Sequence, residues 1–159
     1  MKVLAVDPGY DRIGVAILEK NQGGEFLHYS TCIETSKNNS LTERIFYAGE
    51  TIAKLLNEHQ PQAVAIETLF FNKNIKTAIG VAQARGMIIY LAKKHDCQVF
   101  EYGPQEIKIA TTGYGKSDKQ AVIQMVKRLV KNVPQEALDD EYDAIAVGIT
   151  CLAHNANDR

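Results

Sequence analysis

Tryptophan is absent from this chain, and cysteine and methionine contribute only three residues each and proline four. Cys32, Cys97 and Cys151 are odd in number, far apart and set in apolar sequence. That argues against a disulfide framework or a cysteine zinc site and makes buried, reduced thiols the expectation. Four prolines and eleven glycines in 159 residues are too few for a collagenous or low-complexity chain. Long apolar runs are missing too. Met1-Lys2 leads into Val3-Leu4-Ala5-Val6 and Asp7 interrupts the run, too soon for a leader peptide or a membrane span. A cytoplasmic protein without a membrane partner is the expectation. What is present is ordinary: 45% hydrophobic and 23% charged residues, suited to a single domain over residues 1–159 with a substantial core.

Net charge is also lacking. Eighteen Lys and Arg stand against nineteen Asp and Glu, so bulk charge gives no reason to expect nucleic acid. The distribution is less even. Residues 72–131 hold eleven basic and four acidic side chains, a surplus of seven positive charges, and the remainder holds seven basic and fifteen acidic, an excess of eight negative ones. Such a split reads as a basic region balanced by acids placed elsewhere.

Periodicity orders the elements. Lys2 to Val6 reads as a buried strand closed by Asp7-Pro8-Gly9, and Arg12 to Leu18 and Phe26 to Ile33 follow as strands joined through Asn21-Gln22-Gly23-Gly24. Ser40-Leu41-Thr42-Glu43 has capping-box spacing for a helix that runs to Pro61. Ala63 to Ile66 is a short strand closed by Glu67. Ile75 to Leu91 is a helix apolar around much of its circumference, which requires burial on more than one face, either in the core or at a subunit interface. Gln98 to Glu101 is the fifth and last strand, and Pro104 opens a helix through Ile109. Ser117 and Gln120 suggest a capping box for a basic helix ending near Pro134, and a final helix runs from about Asp139 to Leu152. The order predicts an α/β fold with a mixed five-stranded sheet: an antiparallel meander joined by crossover helices to parallel strands, with helices on both faces.

Four acids stand out. Asp7 and Glu67 each end an apolar run, and Asp140 and Asp143 share one helix face, with Ala144, Val147 and Cys151 continuing the stripe into the core. Each has a plain reading: Asp7 as a turn former before Pro8-Gly9, Glu67 as a strand-end acid, Asp139-Asp140-Glu141 as complements to a helix N-terminus. Their convergence would instead make a set of hard oxygen donors suited to Mg²⁺ or Mn²⁺, and two such ions about 4 Å apart would serve phosphodiester hydrolysis.

Five blocks, Val6-Asp7-Pro8-Gly9, Ala65-Ile66-Glu67, Phe70-Phe71-Asn72-Lys73-Asn74, Gln83-Ala84-Arg85-Gly86 and Asp140-Glu141-Tyr142-Asp143-Ala144-Ile145-Ala146, resemble those of the RuvC crossover junction endodeoxyribonucleases from residue 2 to about 154. The resemblance implies a ribonuclease-H-like fold and resolution of Holliday junctions by paired symmetric nicks, in homologous recombination and DNA repair. It also implies Mg²⁺ as cofactor, with Mn²⁺ as substitute and two ions per site, held by the catalytic acids Asp7, Glu67, Asp140 and Asp143. Asp139 ranks below Asp140, because the family spacing is Asp-x-x-Asp. Lys108 and Lys119 match basic residues near the family's active site, where they would bind the scissile phosphate or help the leaving group; alone, they read as a solvated helix face. Phe70 matches an aromatic that stacks on an unpaired junction base, with Phe71 able to take the same role. Lys73, Lys76 and Lys116 would grip DNA phosphates. The helix Ile75 to Leu91 matches the family's homodimer contact, two-fold symmetry suits a four-way junction, and a branch-migration helicase complex of the RuvA and RuvB type is the implied partner.

Arg12-Ile13-Gly14-Val15-Ala16 departs from the family and resembles the YqgF nucleases, which share the fold. Acting on another nucleic acid as such a nuclease is the runner-up. A phosphate turn of the actin-like ATPase and sugar-kinase fold would need a second domain. A non-catalytic junction binder would gain by replacing buried carboxylates that repel phosphate.

Overall fold

The computed structural model describes residues 1–9, 11–68 and 75–155, the side chains of residues 75 and 76 excepted. Strands β1 (Lys2–Asp7), β2 (Arg12–Asn21) and β3 (Gly24–Glu34) form the antiparallel meander. Helix α1 (Leu41–His59) crosses to β4 (Ala63–Glu67), which lies parallel to β1, and α2 (Ile75–Lys94) crosses to β5 (Gln98–Tyr102), parallel to β4. Then come α3 (Pro104–Thr112), α4 (Lys119–Leu129), β6 (Val130–Lys131) and α5 (Asp139–His154). The sheet order is β5-β4-β1-β2-β3-β6.

The sheet thus has six strands, not five. Helix α4 stops at Leu129 rather than near Pro134, because Val130 and Lys131 pair with Glu25 and Phe26 of β3. Val130 is buried there, and the Lys131 ammonium sits 4.9 Å from the Phe26 ring centre and donates to the Gly23 carbonyl at 2.8 Å. Two residues are too short a run for alternation to reveal. The cap of α4 also differs from expectation: Asp118, not Ser117, accepts from the Ala121 N–H at 2.8 Å. Ser117 is engaged upstream, bonded to the Tyr114 carbonyl at 2.7 Å and to the Thr112 hydroxyl at 2.6 Å. The Ser40 box forms as expected, with Glu43 N–H donating to Ser40 Oγ at 3.2 Å and Ser40 N–H to Glu43 at 2.9 Å.

Strand alternation sorts the core into two layers. Val3, Ala5, Ala16, Leu18, Ala63 and Ala65 pack against α3, α4 and α5 on one face. Leu4, Val6, Val15, Ile17, Val64 and Ile66 pack against α1 and α2 on the other. Helix α5 lies very close to β2: a Cβ on Gly14 would collide with the Asp140 carbonyl oxygen, so only glycine permits this approach. Cys97 and Cys151 are buried free thiols, and Cys32 is half-buried. Among the described residues, no helix is long and apolar enough to cross a membrane.

Candidate active site

Parity places two of the four acids. Val3 and Ala5 face α5, so Asp7, two residues on, does as well; Ala63 and Ala65 face α5, and Glu67 follows them. Because β1 and β4 are parallel and paired Val3 to Ala63 and Ala5 to Ala65, Asp7 and Glu67 end neighbouring strands side by side. Burial, then repulsion from and hydrogen bonding to Glu67, push the Asp7 carboxyl up to about 8, with Asp143 and Asp140 adding to the repulsion. Burial also raises Glu67, against the hydrogen bond it accepts from Asp7 and the nearby charge of Lys108. Asp7 therefore keeps its proton near neutrality and donates it to Glu67.

The N-terminus of α5 supplies the other two. Asp140 lies against Arg12, Nε to Oδ2 at 3.4 Å, yet that Oδ2 is buried and makes no hydrogen bond. The ion-pair distance and the missing hydrogen bond describe one arrangement: charge proximity without donor alignment. Asp143 accepts from Lys119 Nζ at 3.1 Å. Burial raises the Asp143 pKa despite that partner. Lys119 also reaches the exposed Asp139 at 3.2 Å, and the two acids together lift its pKa although partial burial works the other way.

Four carboxylates thus gather at one end of the sheet, each relieved differently: a shared proton for Asp7 and Glu67, a lysine for Asp143, an off-axis arginine for Asp140. Their donors are all hard oxygens, and the orphaned Oδ2 and displaced Asp7 pKa mark an excess of negative charge, which fits a divalent cation. Among the described residues, no group of three His, Cys, Asp or Glu side chains forms a ready cation cage.

Beside the acids opens a cleft of about 250 Å³ walled by Glu67, Lys108, Lys119 and Asp143, with Pro104, Ile107, Val122 and Ala146 as its apolar side. Lys108 and Lys119 accordingly belong to the site end of the sheet. Lys116 is exposed in the turn just before α4. Phe70, Phe71 and Lys73 lie outside the described residues, as does the side chain of Lys76.

The basic segment does not form one face. Lys93 and Lys94 close α2 next to the start of β5, and Lys131 binds the β2–β3 hairpin, both at the sheet end opposite Asp7. Lys127 donates to the Gln135 carbonyl at 2.6 Å, and Arg85 is paired with Glu101 at 2.6 Å. Helices that run the length of a sheet carry their two ends to opposite poles, so charge adjacent in sequence separates in space.

Two arginines were not among the expected site residues. Arg44 of α1, buried, bonds Asp11 Oδ1 at 2.8 Å and Thr35 Oγ1 at 2.9 Å, which anchors the loop that follows Asp7. Arg12 touches Asp140. The available signal was alternation: Arg12 shares parity with Gly14, Ala16 and Leu18 on the α5 face.

A mixed sheet of this order, acids at the ends of its first and fourth strands and a last helix bringing two more, defines the class: a nuclease of ribonuclease-H-like fold. The family model described as "Crossover junction endodeoxyribonuclease RuvC" matches residues 3–151, and the chain belongs to that family, whose members are divalent-metal-dependent nucleases. The crossover junction endodeoxyribonuclease RuvC of Thermosipho melanesiensis is 42% identical over 154 residues, covering 96% of this chain and 97% of its own. The Thermus thermophilus RuvC structure superposes with a TM-score of 0.87 at 27% identity, over 99% of this chain and 96% of that one. The same protein in complex with a Holliday junction substrate gives 0.87 at 27% identity, over 94% and 92%. With the match this long, the YqgF likeness stays confined to residues 12–16, and neither it nor a non-catalytic binder is favoured.

Proposed function

We propose that this chain resolves Holliday junctions by paired, symmetric, Mg²⁺-dependent nicks, acting as one nuclease domain per subunit. The observation that carries the reading is the Asp7–Glu67 pair, two buried acids on neighbouring strand ends, facing Asp140 and Asp143 beside a lysine-walled cleft. Asp7, Glu67, Asp140 and Asp143 would hold the ions, with Mn²⁺ able to replace Mg²⁺ and two ions per site. When bound, such ions activate water and offset charge on the entering and leaving oxygens of the phosphodiester.

The protein's own groups prepare that site. Asp7, its proton passed to solvent, and Asp143 would hold the cation as carboxylates, and Lys119, no longer needed as the partner of Asp143, would be free to face the DNA. Lys108 and Lys119, on the cleft wall, then meet the negative charge that develops on the scissile phosphate, where fixed cations act most strongly because the site is partly desolvated. Phe70 stacks on a junction base and Lys73, Lys76 and Lys116 grip flanking phosphates.

A homodimer through α2 completes the assembly. Val81, Ala84, Ile88 and Ala92 bury the inner stripe of α2, whereas Ile79 and Tyr90 are 58% and 64% exposed, which supports an outer face shared with a second copy. Tyr90→Lys is expected to give monomers in sedimentation, and dimers at wild-type strength would overturn this interface. A cytoplasmic location and, as the family resemblance implies, a helicase partner of the RuvA and RuvB type complete the proposal.

The test is a synthetic mobile four-way junction with Mg²⁺. Wild type makes paired nicks, and Asp7→Asn and Glu67→Gln do not. Retained nicking in both variants removes the proposed site, and tight binding without nicking in either Mg²⁺ or Mn²⁺ makes the protein a binder.

A further inference from the structure

Arg12 opens β2 with its backbone confined from two sides. A Cβ on Gly9 would collide with the Arg12 carbonyl, and Gly14, two residues on, lies directly under the backbone of Asp140. Strand register sets Glu34 opposite Arg12 on β3, yet among the described residues the guanidinium forms no ion pair with Glu34 and lies against Asp140 instead. The contact runs from Nε at 3.4 Å. The terminal amino groups donate no hydrogen bond to protein among the described residues, and the side chain is 51% exposed. A rigid, always-charged fork is therefore held by one edge at a carboxylate of the site, with its other donors open to solvent.

We propose that Arg12 is a substrate-positioning residue that bridges Asp140 and a backbone phosphate next to the scissile one. The proposal rests on the nuclease reading of this site. The two terminal amino groups take nonbridging oxygens of that phosphate while Nε stays beside Asp140, so one side chain registers the DNA strand against the catalytic helix. The off-axis contact suits this role, because it offsets the charge of Asp140 and leaves the Oδ2 lone pairs for a cation. Lysine, a point charge, serves the phosphate but not both partners at once.

The experiment measures binding of a four-way junction across a salt series with a chelator present, for wild type, Arg12→Ala, Arg12→Gln and Arg12→Lys, and nicking in Mg²⁺ for the same proteins. The slope of log K against log salt is expected to fall by about 0.9 per active site in the Ala and Gln variants and to return in the Lys variant. Nicking efficiency falls about tenfold in Arg12→Ala, mostly through KM, and is only partly regained in Arg12→Lys. An unchanged slope in both Ala and Gln variants overturns the proposal and leaves Arg12 as a counterion of Asp140, whatever happens to nicking. Urea midpoints check that the variants fold, and Arg12→Gln keeps the side chain's bulk should Arg12→Ala lose stability. A wild type that binds the junction without cutting it overturns the nuclease reading, and the salt slope still decides Arg12.

Discussion

The two ends of the sheet differ in an instructive way. At one end β1 and β4 finish in Asp7 and Glu67, beside a cleft of about 250 Å³. At the other end, a larger cleft of about 400 Å³ lies between the end of α1 and the Lys94–Cys97 turn. Polar groups in that far region are satisfied: the Cys97 thiol donates to the Pro61 carbonyl at 3.2 Å, and Gln62 Oε1 accepts from the Lys2 N–H at 2.6 Å. At the near end they are not, since an acid is kept protonated by its neighbours and the Asp140 Oδ2 is buried without a hydrogen bond. Volume favours the far cleft; unrelieved charge selects the near one. Such frustration is concentrated at sites where a ligand relieves it.

The sharpest way to break this contrast is to neutralise one acid at each end. Asp7→Asn or Glu67→Gln should lower nicking of a four-way junction about 10²–10³-fold or more, as losing a transition-state stabiliser does. Asp96→Asn, in the far cleft, should leave the rate within about twofold, since surface changes away from such features have small effects. Comparable losses at both ends would erase the distinction.

The lysines allow a finer comparison. Lys108→Ala and Lys119→Ala should reduce cleavage about tenfold or more while changing junction affinity less, because their charge acts on the developing phosphate charge. Lys131→Ala, bound to the Gly23 carbonyl at the far end, should leave cleavage unchanged. A loss confined to affinity in the first pair would reassign Lys108 and Lys119 to phosphate grip.

The smallest effect concerns stability without metal. Asp7 has a folded-state pKa raised to about 8 from an ordinary 3.8, so the folded protein retains a proton that the unfolded chain has already released. The stability this provides is complete below about pH 4 and is lost as pH rises through about 8. Burial raises Glu67 and Asp143 in the same sense, whereas His59, lowered by burial and then by Lys2, acts in the opposite one. In chelator, the melting temperature should fall by several degrees between pH 5 and pH 8.5. Asp7→Asn should flatten that profile, and Mg²⁺ should restore the wild type at the upper pH. A profile equally steep in Asp7→Asn would show that the strand-end acids do not carry the strain.

Much of this was legible in the chain. Acids that terminate apolar runs are conspicuous, which is why Asp7 and Glu67 stood out, and the Ser40 capping box is a local signal that the structure reproduces. Asp140 and Asp143 were visible as one helix face. Less local features were hidden. The two-residue β6 forms because Val130 and Lys131 find β3, and Asp118 caps α4 because Ser117 is occupied by Thr112 and Tyr114. The surplus of positive charge over residues 72–131 suggested one basic face, but α2 and α4 carry Lys94 and Lys127 away from Lys108 and Lys119.

Strand and helix periods, the antiparallel start and the identities of the four acids follow from the sequence alone, since each depends on residues within a few positions of one another. The tertiary structure decided how their charges are relieved: the proton between Asp7 and Glu67, separated by sixty residues of chain, the ammonium of Lys119 on Asp143, and the guanidinium of Arg12 beside Asp140. Those choices depend on burial and on distances of a few ångströms, which exist only once β1, β2, β4 and α5 have packed.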